Sequence, residues 1–115
     1  MSREILETFP NPAPERDYVI EHIAPEFTSV CPKTGQPDFA TITLRYIADQ
    51  KCVELKSLKF YYNSFRNEGI FYEAVVNIIL DDIVAFLSPR YANIEGEFAV
   101  RGGISSTITA EYRQE

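Results

Sequence analysis

The sequence predicts an α+β domain, with four strands and two helices in the order ββααββ and two antiparallel helices covering the single apolar face of one antiparallel sheet. Three observations carry this. Residues 39–48 alternate Ala40, Ile42, Leu44 and Tyr46 with Thr41, Thr43 and Arg45, the period of a strand with one buried face. Residues 70–87 instead repeat Ala74, Val75, Ile78, Ile79, Ile83 and Phe86 at intervals of three and four, the period of a helix. Beyond Ser88-Pro89, which ends that helix, residues 91–98 and 105–112 return to strand character on either side of Arg101-Gly102-Gly103.

The remaining elements follow in order. Residues 1–16 carry Pro10, Pro12 and Pro14 with no sustained period, so they read as an extended arm that lies over a neighbour or stays loose, ahead of one domain at 17–115. Residues 17–25 mix β-branched and aromatic side chains and stop at Pro25, a first strand. Residues 27–38, with Pro32, Gly35 and Pro37, read as an ordered loop joining it to the strand at 39–48. After a turn at 49–51, Leu58, Tyr61, Tyr62 and Phe65 recur at helical spacing within 55–65, and Glu68-Gly69 separates this helix from the next.

Composition narrows the function. A chain of 115 residues with 45% hydrophobic residues suits one compact core and no second one. It contains no apolar run long enough to span a bilayer, and residues 1–17 lack the apolar stretch of a secretory signal, so the expected location is the cytoplasm. The net charge of −6 argues against a nucleic-acid surface, because neutralising phosphates requires clustered Lys and Arg. With His22 as the one histidine, zinc sites and Ser-His-Asp sets are excluded, and no metal is expected. Cys31 and Cys52 lack the spacing of a redox pair and are read as free thiols.

The loop at 27–38 holds the chemistry-bearing residues, because its prolines and glycine present Cys31 and Asp38 from fixed backbone. By residue type alone, Cys31 suits a small buried hydrophobe as well as a nucleophile, and Lys33 is its one adjacent cation. Glu73, ahead of the apolar helical stretch, suits a solvated charge favoured by a helix N-terminus.

Three segments decide between these readings. The stretch Phe27-Thr-Ser-Val-Cys31-Pro-Lys-Thr-Gly-Gln-Pro-Asp38, the run Glu54-Leu55-Lys56-Ser57-Leu58-Lys59-Phe60-Tyr61, and Arg101-Gly102-Gly103-Ile104 stand in the order and spacing of one family. Together they closely resemble the NADPH-dependent 7-cyano-7-deazaguanine reductases, the nitrile reductases of queuosine biosynthesis, in which the chain resembles the short, single-domain type. The resemblance implies the tunnelling fold, in which subunit sheets join edge to edge into a barrel. It also implies a homo-oligomer, a decamer of two pentamers, with active sites between subunits and no direct contact with nucleic acid or membrane.

By the same resemblance, Cys31 matches the nucleophile that forms a thioimide with the nitrile, and Asp38 matches the proton donor, a role that demands a desolvated carboxyl near neutrality. Glu73 matches the acceptor for the base's N–H groups, with Tyr72 beside it and backbone groups of Val53, Glu54 and Leu55 completing the base pocket. Leu55, Lys56, Arg101 and Gly102 match positions that contact NADPH, and the chain has no GxGxxG to suggest a Rossmann mode. Tyr72 stands where many members carry histidine; a phenol, with an ordinary pKa of about 10, is a poor proton reservoir, which shifts that work to Asp38. Two rivals stand beside this reading. One is the related amidinotransferase of archaeal tRNA modification, which shares the cysteine but lacks the cofactor signature present here at 54–61. The other is a non-catalytic purine- or pterin-binding protein of the same fold.

Overall fold

The computed structural model describes residues 3–115. Four strands form one antiparallel sheet in the order β2-β3-β5-β6: β2 (Val19–Val30), β3 (Pro37–Ile47), β5 (Tyr91–Arg101) and β6 (Ile104–Arg113). Two helices, α1 (Leu55–Asn63) and α2 (Tyr72–Leu87), lie between the hairpins in sequence. The ββααββ order is therefore the observed one, with two short strands added, β1 (Thr8–Pro10) and β4 (Lys51–Val53), which pair with each other.

The core follows from the alternation. In β3 the inward residues are Ala40, Ile42, Leu44 and Tyr46, and in β5 they are Ala92, Ile94, Gly96 and Phe98, all buried. Helix α2 lays Val75, Val76, Ile79, Ile83 and Leu87 against them. Gly96 sets this approach: a Cβ there would stand 2.9 Å from both Val76 Cγ2 and Phe98 Cε2, closer than side chains tolerate. Helix α1 adds Leu58, Tyr61 and Tyr62, and its N-terminus is capped by Glu54, whose carboxylate accepts from the Lys56 and Ser57 amides at 2.7 and 2.8 Å.

Several features differ from the sequence reading. Strand β2 runs through Pro25 to Val30 instead of stopping, because it is an edge strand, where a missing N–H costs no ladder bond, and its register shifts between Ala24 and Phe27. Pro37 opens β3, a position proline tolerates, so the loop at 27–38 shrinks to the six-residue connection 31–36. Helix α2 begins at Tyr72, since residues 68–70 bond to the end of β2. The arm is folded onto its own chain: Leu6 is buried, β1 pairs with β4, and Arg3 reaches the buried Asp82 at 2.8 Å.

Candidate active site

The site is built where β2 ends. Val30 donates to the Glu68 carbonyl at 3.0 Å and accepts from the Ile70 amide at 3.1 Å, which draws the segment before α2 alongside the strand end. The next residue, Cys31, thus faces the first turn of α2. Its own amide donates to the Gln36 carbonyl and its carbonyl accepts from Gly35, both at 2.8 Å, closing a tight turn in which Gly35 takes φ 74°, a conformation suited to glycine. The Thr34 hydroxyl and the backbone amides of Lys33 and Thr34 hold the Cys31 thiol below its ordinary pKa, against a smaller opposing push from desolvation and the Asp38 charge. Hydrogen bonds within the turn, that of the Thr34 hydroxyl first, favour the thiolate, with no neighbouring cation among the causes.

Asp38 pairs with Ser29 across the hairpin and points inward, 5% exposed. Its Oδ1 accepts from the Tyr72 hydroxyl at 3.2 Å and from Arg101 Nη2 at 3.0 Å. The Tyr72 ring is stacked on Phe98 with centroids 3.9 Å apart, so the phenol is held by packing as well as by its hydrogen bond. Burial and then the Asp38 charge push the Tyr72 phenol up in pKa, which makes it a donor that keeps its proton.

Cys31, Asp38, Tyr72, Glu73 and Arg101 all line one cleft of about 230 Å³, whose apolar wall includes Ile70 and Phe71. Glu73 stands exposed in the first turn of α2. Gly102 begins the β5–β6 turn with φ 60°, and nothing lies within 4 Å of a side chain built there.

The other residues proposed from the sequence are not brought to this cleft by the single chain. Leu55 lines a second, larger cleft of about 530 Å³ between β2 and α1, together with Lys59 and Arg66. Lys56 is exposed on the same helical turn. Val53 is buried, its amide bonded to the Tyr46 hydroxyl at 3.0 Å, and the Glu54 amide is bonded to the Glu7 carbonyl at 2.9 Å. Those two N–H groups are therefore occupied, and the Glu54 carboxylate serves the α1 cap. Gln36 was not singled out from the sequence; its Oε1 accepts from Arg101 Nη1 at 2.8 Å. No sequence pattern signals that contact, which depends on the hairpin register.

A thiol biased toward its anion, beside a buried carboxyl and a cleft for a small ligand, is the equipment of an enzyme that works through a cysteine adduct. The chain belongs to the QueF-like protein family, whose model matches residues 37–115. A relative from Chloroherpeton thalassium named NADPH-dependent 7-cyano-7-deazaguanine reductase is 61% identical over 115 residues, covering 100% of this chain and 99% of that protein. One of the same name from Prosthecochloris aestuarii is 59% identical over 112 residues, covering 97% and 95%. These matches include the Cys31 turn, which precedes the part matched by the family model. Among solved structures, the apo form of the archaeosine synthase QueF-Like aligns with a TM-score of 0.76 over 81% of this chain and 91% of that one, a likeness of fold at 20% identity.

Proposed function

We propose that this chain is an NADPH-dependent reductase that converts 7-cyano-7-deazaguanine to 7-aminomethyl-7-deazaguanine in queuosine biosynthesis. The observation that carries the mechanism is the Cys31 turn, which favours a thiolate in the same cleft as a buried carboxyl. The Cys31 sulfur adds to the nitrile carbon, one C–N π bond opens onto nitrogen, and Asp38 supplies the proton that nitrogen takes up, leaving a thioimide. Tyr72 holds Asp38 in place, and the Glu73 carboxylate at the cleft rim accepts from the N–H groups of the base. NADPH, when bound, supplies the hydrides for the two reductions. The residues present fit it: Arg101 is a partly exposed cation at the cleft, Gly102 leaves room for close approach, and Lys56 is an exposed cation on α1.

Because Leu55 and Lys56 lie apart from the Cys31 cleft, the complete site is assigned to a contact between subunits of a closed homo-oligomer. Edge strands β2 and β6 support this, with exposed Val19 and Ile23 on one and Ile104 on the other. Among the described residues no helix is long and apolar enough to cross a membrane, and the proposed location is the cytoplasm. The test is NADPH consumption, followed by its absorbance, on adding 7-cyano-7-deazaguanine. Consumption with formation of the amine is expected; no consumption, or incorporation of an added amine in its place, would refute the reading.

A further inference from the structure

The N-terminal arm is bonded to one short stretch of the chain, the stretch that carries Leu55 and Lys56. The Asn11 amide donates to the Gln50 carbonyl at 2.9 Å, and β1 then runs along β4 with Thr8 opposite Val53. Glu7, the next residue back, uses both of its backbone groups on the start of α1. Its carbonyl accepts from the Glu54 amide at 2.9 Å and its amide donates to Ser57 Oγ at 2.9 Å, while the Ser57 hydroxyl donates to the Glu54 carbonyl at 2.7 Å. Leu55 and Lys56 lie between the two residues so held.

The arm is itself anchored twice. Leu6 is 2% exposed and packs in the core. Arg3 Nε donates to Asp82 Oδ1 at 2.8 Å, and the other oxygen of Asp82 accepts from the Tyr61 hydroxyl at 2.5 Å, so one buried carboxylate joins the arm to α1 and α2. The first turn of α1 needs such support. A nine-residue helix is marginal alone and its ends fray, and both Leu55 and Lys56 are exposed, without packing to fix them. The Glu54 carboxylate closes the turn on itself, whereas the bonds to Glu7 fix the turn to the rest of the molecule.

We infer that the arm is a positioning element of the cofactor site: Glu7, held by Leu6 and Arg3, fixes the first turn of α1 so that Leu55 and Lys56 meet the dinucleotide already in place. A segment ordered in advance loses less conformational freedom on binding, and affinity gains by that difference. The inference rests on the assignment of Leu55 and Lys56 to NADPH. The cleft of Cys31 has no arm residue in its wall, so the arm bears on the cofactor and leaves the nucleophile alone.

Two substitutions loosen the arm from opposite ends. Ser57→Ala removes the acceptor of the Glu7 amide while keeping a residue of high helix propensity, and Arg3→Gln weakens the far anchor. Hydrogen exchange at the Glu54 amide, whose acceptor is the Glu7 carbonyl, reports whether the arm has come away. In the full-length double variant, below its unfolding temperature, that amide should lose protection and the KM for NADPH should rise several-fold. The kcat at saturating NADPH should change little, NADP⁺ binding measured by calorimetry should weaken in step, and Cys31 should react with iodoacetamide at the parent rate. Lost protection with an unchanged KM and NADP⁺ affinity would overturn the inference, as would a common fall in kcat and Cys31 reactivity, the mark of a merely structural arm. Retained protection in the double variant would overturn it too, because the turn would then not depend on these contacts. In each of these cases the reductase reading stands; absence of any NADP⁺ binding by the parent protein would overturn both.

Discussion

Cys31 owes its character to Thr34, whose hydroxyl is the foremost of the groups that hold the thiol below its ordinary pKa. A lowered thiol pKa means that the nucleophilic anion is already present at a pH where a free cysteine is still protonated. Thr34→Val keeps the shape and removes the hydroxyl, so the midpoint of the pH dependence of Cys31 alkylation by iodoacetamide should move upward, with less thiolate at neutral pH. An unchanged midpoint would show that the backbone amides of Lys33 and Thr34 suffice. Asp38→Asn should leave that alkylation in place and slow reduction by about 10²–10⁴-fold, the range for loss of a general acid. A fall in substrate affinity with turnover intact would make Asp38 a positioning residue instead. The sequence places Cys31 and Asp38 on one ordered connection, because proline and glycine spacing restricts local backbone. It is silent on Arg101 touching Asp38, a contact set by the register of β3 against β5 and by the bulge at 98–101.

At the scale of elements, Gly96 controls how close α2 comes to β5. Gly96→Ala places a methyl group 2.9 Å from Val76 Cγ2 and Phe98 Cε2, and should cost about 1–3 kcal/mol in denaturant unfolding, as overpacking does. Since Phe98 carries the Tyr72 ring, turnover should fall along with stability. Glu54 poses a different test. Backbone amides of Lys56 and Ser57 hold its carboxyl below the usual range, so its contribution to α1 is complete above the unfolded-state pKa and is lost as pH falls through the lowered folded-state value. Hydrogen exchange at the Lys56 and Ser57 amides should therefore lose protection on acidification, and Glu54→Gln should remove that dependence. Periodicity made β3 and α2 legible, because each keeps one buried face over several turns or pleats. The extension of β2 through Pro25 was not legible, since whether proline interrupts a strand depends on its standing at an edge, a property of the sheet and not of the segment.

At the scale of the molecule, β2 and β6 are the two open edges of a four-stranded sheet, and the residues proposed for base and cofactor divide between two clefts. Pairing between copies resolves both facts at once. Ile104→Lys, on the β6 edge where Ile104 is 68% exposed, should split the assembly in a sedimentation experiment and abolish reduction while leaving the fold intact. A monomer that still reduces the nitrile would contradict the shared site. The most direct test of the whole account is the mass of the intact protein after incubation with 7-cyano-7-deazaguanine without NADPH. An increase equal to the mass of the nitrile, mapped to Cys31 and reversed to free thiol with release of the amine when NADPH is added, is the predicted result. Turnover with no adduct at Cys31, or an adduct that persists in Cys31→Ala, would contradict it.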